Sequence, residues 1–85
     1  MIGKLARLTK KQTNRDYFSS IPIGTYFIIT DTHNHMPAYD LTGFFIGVMP
    51  NILRNGDLHF TGYIEKNSWE LIGSIEEHIH ILDKL

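Results

Sequence analysis

Five stretches decide the reading of this chain: TYFIIT (residues 25–30), GFFIGVM (43–49), LHFTGYIE (58–65), WELIG (69–73) and HIHIL (78–82). Each is short, rich in β-branched and aromatic residues, and separated from the next by turn-forming residues. Alternation is cleanest over 58–65. Leu58, Phe60, Gly62 and Ile64 fall on one side, and His59, Thr61, Tyr63 and Glu65 on the other. Tyr26-Phe27-Ile28-Ile29 is apolar throughout, which predicts burial on both faces. The pattern is that of an all-β fold, a small antiparallel barrel of about five to six strands.

The connections follow from turn chemistry. Pro22 fixes φ and Gly24 permits positive φ, so residues 19–24 form a turn into the first long strand. Asp31 to Asp40 reads as the longest loop of the domain, and Gly43–Met49 as the next strand, bent at Gly47 and ended by Pro50. Asn55-Gly56 supplies the two positive-φ positions of a type I′ hairpin with arms 52–54 and 57–59. Lys66-Asn67-Ser68 turns the chain and 69–72 returns. Ser74 and Glu77 have capping-box spacing for one helical turn, after which 78–82 closes the sheet as a last strand.

Upstream, Ile2, Leu5 and Leu8 recur at helical spacing, whereas Leu5–Thr9 equally suits a short edge strand. A strand is preferred, because the meander needs a first strand to close against its last. Lys10–Asn14 is then a polar loop, and Thr13 or Asn14 can cap a single turn over residues 15–18.

The order of these elements resembles the SH3-like barrels, including KOW and Tudor-type modules. The resemblance is carried by Ile23-Gly24-Thr25 entering the first long strand and by the run from Ile75 to Leu82 closing the sheet. It spans residues 22–82 and implies the barrel fold. It does not imply peptide specificity: the acidic loop, tryptophan pair and late proline of the SH3 groove are missing, as is the KOW glycine pattern.

With 85 residues there is room for a single domain over 1–85, made of a basic segment (1–16) and the barrel (22–82). A chain this size buries only about 60–65% of its unfolded surface. No cysteine is present to staple it, so self-association is the expected support, and thiol catalysis and thiolate zinc sites are excluded. The longest apolar run, Phe44–Met49, is far too short to cross a bilayer as a helix. Lys4, Arg7, Lys10 and Lys11 interrupt any signal-peptide core, so a cytoplasmic location is expected. Net charge is −1, but Lys4, Arg7, Lys10, Lys11 and Arg15 all precede the first acid, while the last third is mostly acidic.

Signals for chemistry are sparse. Of five histidines, His33 and His35 lie two apart in the long loop, flanked by Asp31 and Asp40, and His78 and His80 lie two apart near the end. Together they would suit a metal, but the second pair alternates with isoleucines as an exposed strand face does, and no metal or other cofactor is expected. His33-Asn34-His35 is not an HNH nuclease motif, which is spread over a much longer unit. No serine lies in a Gly-x-Ser-x-Gly elbow, the adjacent Glu76 and Glu77 suit a helix start, and no phosphate loop is present, so no enzyme is expected. Aromatics make 12% of the chain, more than a core this small needs. The surplus, with Tyr39, Tyr63 and Trp69 foremost, suits stacking or anchoring a partner.

These features point to a non-catalytic binding module with a protein partner, using Asp31, His33, His35, Tyr39, Asp40, Tyr63 and Trp69. In size and style the chain resembles accessory or inhibitor proteins of bacterial viruses, which implies a host protein as partner. The alternatives are nucleic-acid binding through Lys4, Arg7, Lys10, Lys11 and Arg15, and capture of a small nucleotide between subunits of a homo-oligomer by Arg54, His33 or His35.

Overall fold

The structure is a computed structural model and describes residues 1–13, 21–47 and 61–84. Among the described residues five strands form a single antiparallel sheet: β1 (Leu5–Leu8), β2 (Tyr26–Thr32), β3 (Tyr39–Phe45), β4 (Thr61–Glu65) and β5 (Trp69–Gly73), in the order β4-β3-β2-β1-β5. The all-β class is therefore that of the sequence reading. The turn over 15–18, the Asn55-Gly56 hairpin, and the parts of the second and third stretches at 48–49 and 58–60 lie outside the described residues.

Strand order and connection length together force the sheet to curl. β4 and β5 occupy its two edges, yet only Lys66, Asn67 and Ser68 link them. In a flat sheet the outermost strands would stand about 19 Å apart. Three linking residues span at most about 14 Å, so the edges must approach at that corner. Asn67, at φ 61°, takes the left-handed conformation the corner needs. Register shifts at Ile29/Asp31, Tyr39/Leu41 and Leu5/Ala6 add bulges, which sharpen the curl.

Inside the curl lie Ala6, Leu8, Ile21, Phe27, Ile29, Leu41, Phe45 and Ile64, all buried, with Trp69 packed against them. The alternation seen in the sequence sets this up. On β3, Leu41, Gly43 and Phe45 face in, and on β4, Gly62 and Ile64 do. Phe27 and Phe45 meet edge to face at 6.0 Å. Gly43 stands opposite Gly62, and a Cβ on Gly43 would run into the Phe27 ring, so this stretch of bare backbone is where the ring lies. On β2, Phe27 and Ile29 are buried, whereas Tyr26 and Ile28 are half-buried; burial is one-sided and not on both faces.

Three expectations are corrected. The segment 78–82 is not a closing strand: Glu76–His78 is a 3₁₀ turn and Ile79–Leu82 a short α-helix, α1. Its half-buried positions, Ile75, His78, Ile81 and Leu82, recur every three to four residues, a helical period that overrides the apparent alternation. Closure falls to β5, which pairs with β1 and not with β4. β1 is accordingly no edge strand; it lies between β2 and β5. The long loop is shorter than 31–40, because β2 runs on to Thr32 and β3 begins at Tyr39, four residues before Gly43.

After β5 the chain folds back on the sheet. Ser74 Oγ accepts the Glu77 N–H at 3.3 Å, as the capping spacing predicts. His78 Nδ1–H donates to the Ser74 carbonyl at 2.9 Å, and its ring lies 2.9 Å from where a Cβ of Gly73 would stand. Gly73 is opposite Leu5, which is fully buried but outside the main core cluster, so this corner of the outer face is covered too.

Candidate binding surface

Two clusters emerge around the residues singled out from the sequence. The first is at the corner where β4 passes to β5. Gln12, 1% exposed, is held there by both ends of its amide. Oε1 accepts the Glu65 N–H at 2.9 Å, and Nε2 donates to Ser68 Oγ at 2.9 Å and to the Lys10 carbonyl at 3.5 Å. A backbone N–H can only donate and a carbonyl only accept, so the orientation of the amide is fixed. Ser68 Oγ donates on to the Glu65 carbonyl at 2.6 Å, and the Thr9 N–H reaches the Ser68 carbonyl at 2.7 Å. The Glu65 carboxylate receives the backbone N–H of Thr13 at 3.0 Å and also its hydroxyl.

Trp69 and Asp40 belong to the same region. Trp69 Nε1–H donates to Asp40 Oδ2 at 3.0 Å, joining β5 to β3. The indole has one donor, and this bond uses it.

The second cluster is on the outer face of β3 and β4. Thr42 and Phe44 point outward from β3, opposite Tyr63 and Thr61 of β4. The Tyr63 ring lies between two others, with His33 at 5.4 Å and Tyr39 at 5.3 Å between centroids. His33 is anchored twice: its N–H donates to the Asp40 carbonyl at 2.8 Å, and its Nε2 is 2.6 Å from Thr42 Oγ1. The bulge at Tyr39/Leu41 inserts Asp40 into β3; the Tyr39 ring meets Tyr63, while the Asp40 side chain reaches Trp69. Tyr63 is 44% exposed and Phe44 43%. Beside them is a shallow concavity of about 250 Å³ lined by Thr42, Thr61, Gly62 and Tyr63.

The structure thus brings together His33, Tyr39 and Tyr63, and separately Asp40 and Trp69. Asp31 is exposed opposite Thr42, its Oδ1 accepting the Thr32 N–H, and His35 is exposed in the 33–38 loop. Thr42 and Phe44 complete the face and had no sequence signal beyond their place in an alternating strand.

The basic residues are dispersed. Arg7, in the middle of β1, pairs with Glu70 of β5, both side chains being more than two-fifths exposed. Such a pair contributes at most about 1 kcal/mol. Lys4 precedes β1, Lys10 and Lys11 are exposed beyond it, and Arg15 and Arg54 lie outside the described residues. Among the described residues no three of His, Asp and Glu are placed to hold a metal ion; His78 and His80 have rings 6.2 Å apart in the C-terminal helical segment. No described helix is long and apolar enough to cross a membrane. No family model matches the chain, and no curated protein or solved structure is significantly similar to it.

Proposed function

We propose that this protein is a non-catalytic, protein-binding module whose contact surface is the aromatic strip of His33, Tyr63 and Tyr39 with Phe44 beside it. One observation carries the reading: Tyr63 is nearly half exposed although its ring is held between two neighbours. A ring already fixed in place loses little entropy on binding, and tyrosine anchors of this kind supply much of the energy of protein interfaces. The strand order, with β1 between β2 and β5, supports an SH3-like frame. The helical segment after the last strand, and not before it, departs from that frame.

The test is affinity capture from lysate with and without nuclease, comparing the natural chain with Tyr63→Ala. A protein captured by the natural chain after nuclease treatment, and lost with Tyr63→Ala, supports the reading. Capture that nuclease abolishes transfers the function to nucleic acid and to Lys4, Arg7, Lys10, Lys11 and Arg15.

A further inference from the structure

A second face lies where the first four residues meet the turn after β5. The two form a concavity of about 340 Å³ lined by Ile2, Gly3, Lys4, Ser74, Ile75 and Glu76. Both walls are fixed. On one side the Lys4 N–H closes a turn onto the Met1 carbonyl at 3.0 Å, with Gly3 at φ +87°. That turn is clamped to β2, since the Gly3 N–H donates to the Ile29 carbonyl at 2.7 Å and the Ile29 N–H to the Lys4 carbonyl at 2.9 Å. On the other side, the Ser74–Glu77 and Ser74–His78 bonds hold the turn that carries Ile75 and Glu76.

This face has apolar and charged parts that match one another. Ile2, on the wall formed by the first four residues, is 63% exposed. Lys4 is on one wall of the concavity and Glu76 on the other. Arg7–Glu70 is the ion pair formed among the described residues, so Lys4 and Glu76 are not neutralised by each other or by another described side chain.

A contact across a two-fold axis demands a patch complementary to itself: a protrusion and a hollow, a cation and an anion, all on one surface. This surface carries all four. We propose that it is the interface between two copies of the chain. Ile2 of each copy seats in the concavity of the other, and Lys4 of each faces Glu76 of the other. The fixed walls mean little is left to order on association, and the added apolar burial supports a chain too small to bury much by itself. The surface does not include the tyrosine strip, so this interface stands or falls independently of the function proposed above.

Symmetry supplies a strict test, by light scattering or sedimentation equilibrium over a range of concentrations. The natural chain is expected to pass from monomer to dimer. Each substitution acts twice in a two-fold dimer, so Lys4→Glu and Glu76→Lys should each weaken dimerisation by about tenfold or more. Mixed in equal amounts, the two variants should form a heterodimer, because both charge pairs are then attractive; the double variant Lys4→Glu/Glu76→Lys should dimerise by itself. Ile2→Asp should remain monomeric, and unchanged circular dichroism would show each variant folded. The proposal is overturned by a natural chain that stays monomeric at every concentration. It is also overturned if the charge variants dimerise normally, or if their mixture fails to associate. Flotation of the monomer with anionic phospholipid vesicles, without self-association, would assign the same face to a lipid surface and equally overturn it.

Discussion

The corner at Gln12 and the strip at Tyr63 both draw on the strand β4, through Glu65 and Tyr63, and use it to opposite ends. At the corner, Gln12, Ser68 and Glu65 are joined by bonds of 2.6–2.9 Å, and two of the three side chains are buried. On the strip, His33, Tyr39 and Tyr63 are held by ring contacts and by the bond to Thr42, with Tyr63 left open to solvent. Polar groups out of water must be satisfied, so the corner is stability held in a few specific bonds. Rings half in water add less to folding than buried ones, because less of their surface leaves water. The corner holds the curl of the sheet; the strip is the surface that the proposed function would use.

The sharpest way to break the corner is Gln12→Leu. It removes the buried amide and leaves the Glu65 N–H without its acceptor and Ser68 without a donor. An unsatisfied buried group costs about 1–3 kcal/mol, so a loss of about 2–4 kcal/mol is expected in urea or thermal unfolding. A change below about 1 kcal/mol would show that the corner is a consequence of closure and not its cause.

Gly43→Ala strikes the floor of the strip from inside, where the new methyl meets the Phe27 ring. Overpacking of this kind costs about 1–3 kcal/mol. Pairing it with Phe27→Leu, which makes room, should recover part of the loss; a simple sum of the two effects would mean that the ring is not what excludes the methyl. Smaller again is Trp69→Phe, which keeps the packing against the core but removes the donor to Asp40. A hydrogen bond to a charged group contributes about 1.5–3 kcal/mol when buried; here both partners are only half-buried, so about 1 kcal/mol is expected by the same measurement.

The strands could be read from the sequence because alternation is a local signal. Thr61–Glu65 is found where apolar and polar residues take turns, and Gly24 is where the turn needs positive φ; Leu5–Leu8 does not alternate, and only the need of a meander for a first strand marked it. Their partners could not, because β1 pairs with a strand more than sixty residues away and nothing within either segment encodes that. The HIHIL run satisfies a two-residue period over its own length and a helical period once Ile75 is included, so a short window misassigns it. At the site, tyrosines in excess of core needs were visible, but the bulge that parts Tyr39 from Asp40 was not. Gln12 gave no sign at all: glutamine is ordinarily exposed, and only the corner around it makes burial favourable.

The smallest effect on stability should come from the strip, and that makes it the most discriminating experiment. Tyr63→Ser removes the central ring but leaves the β4 backbone, the Gly43–Gly62 crossing and the buried Ile64 untouched. With nearly half of the ring in water already, the loss is expected to be about 0.5–1 kcal/mol, the scale of a cross-strand pair. A captured protein partner should nevertheless be lost, because a central aromatic anchor is worth about 2 kcal/mol or more in an interface. If instead Tyr63→Ser unfolds the chain as readily as Gln12→Leu does, the strip is a structural ladder and the two regions do the same work. If it leaves both stability and capture unchanged, the contact surface is elsewhere on the sheet.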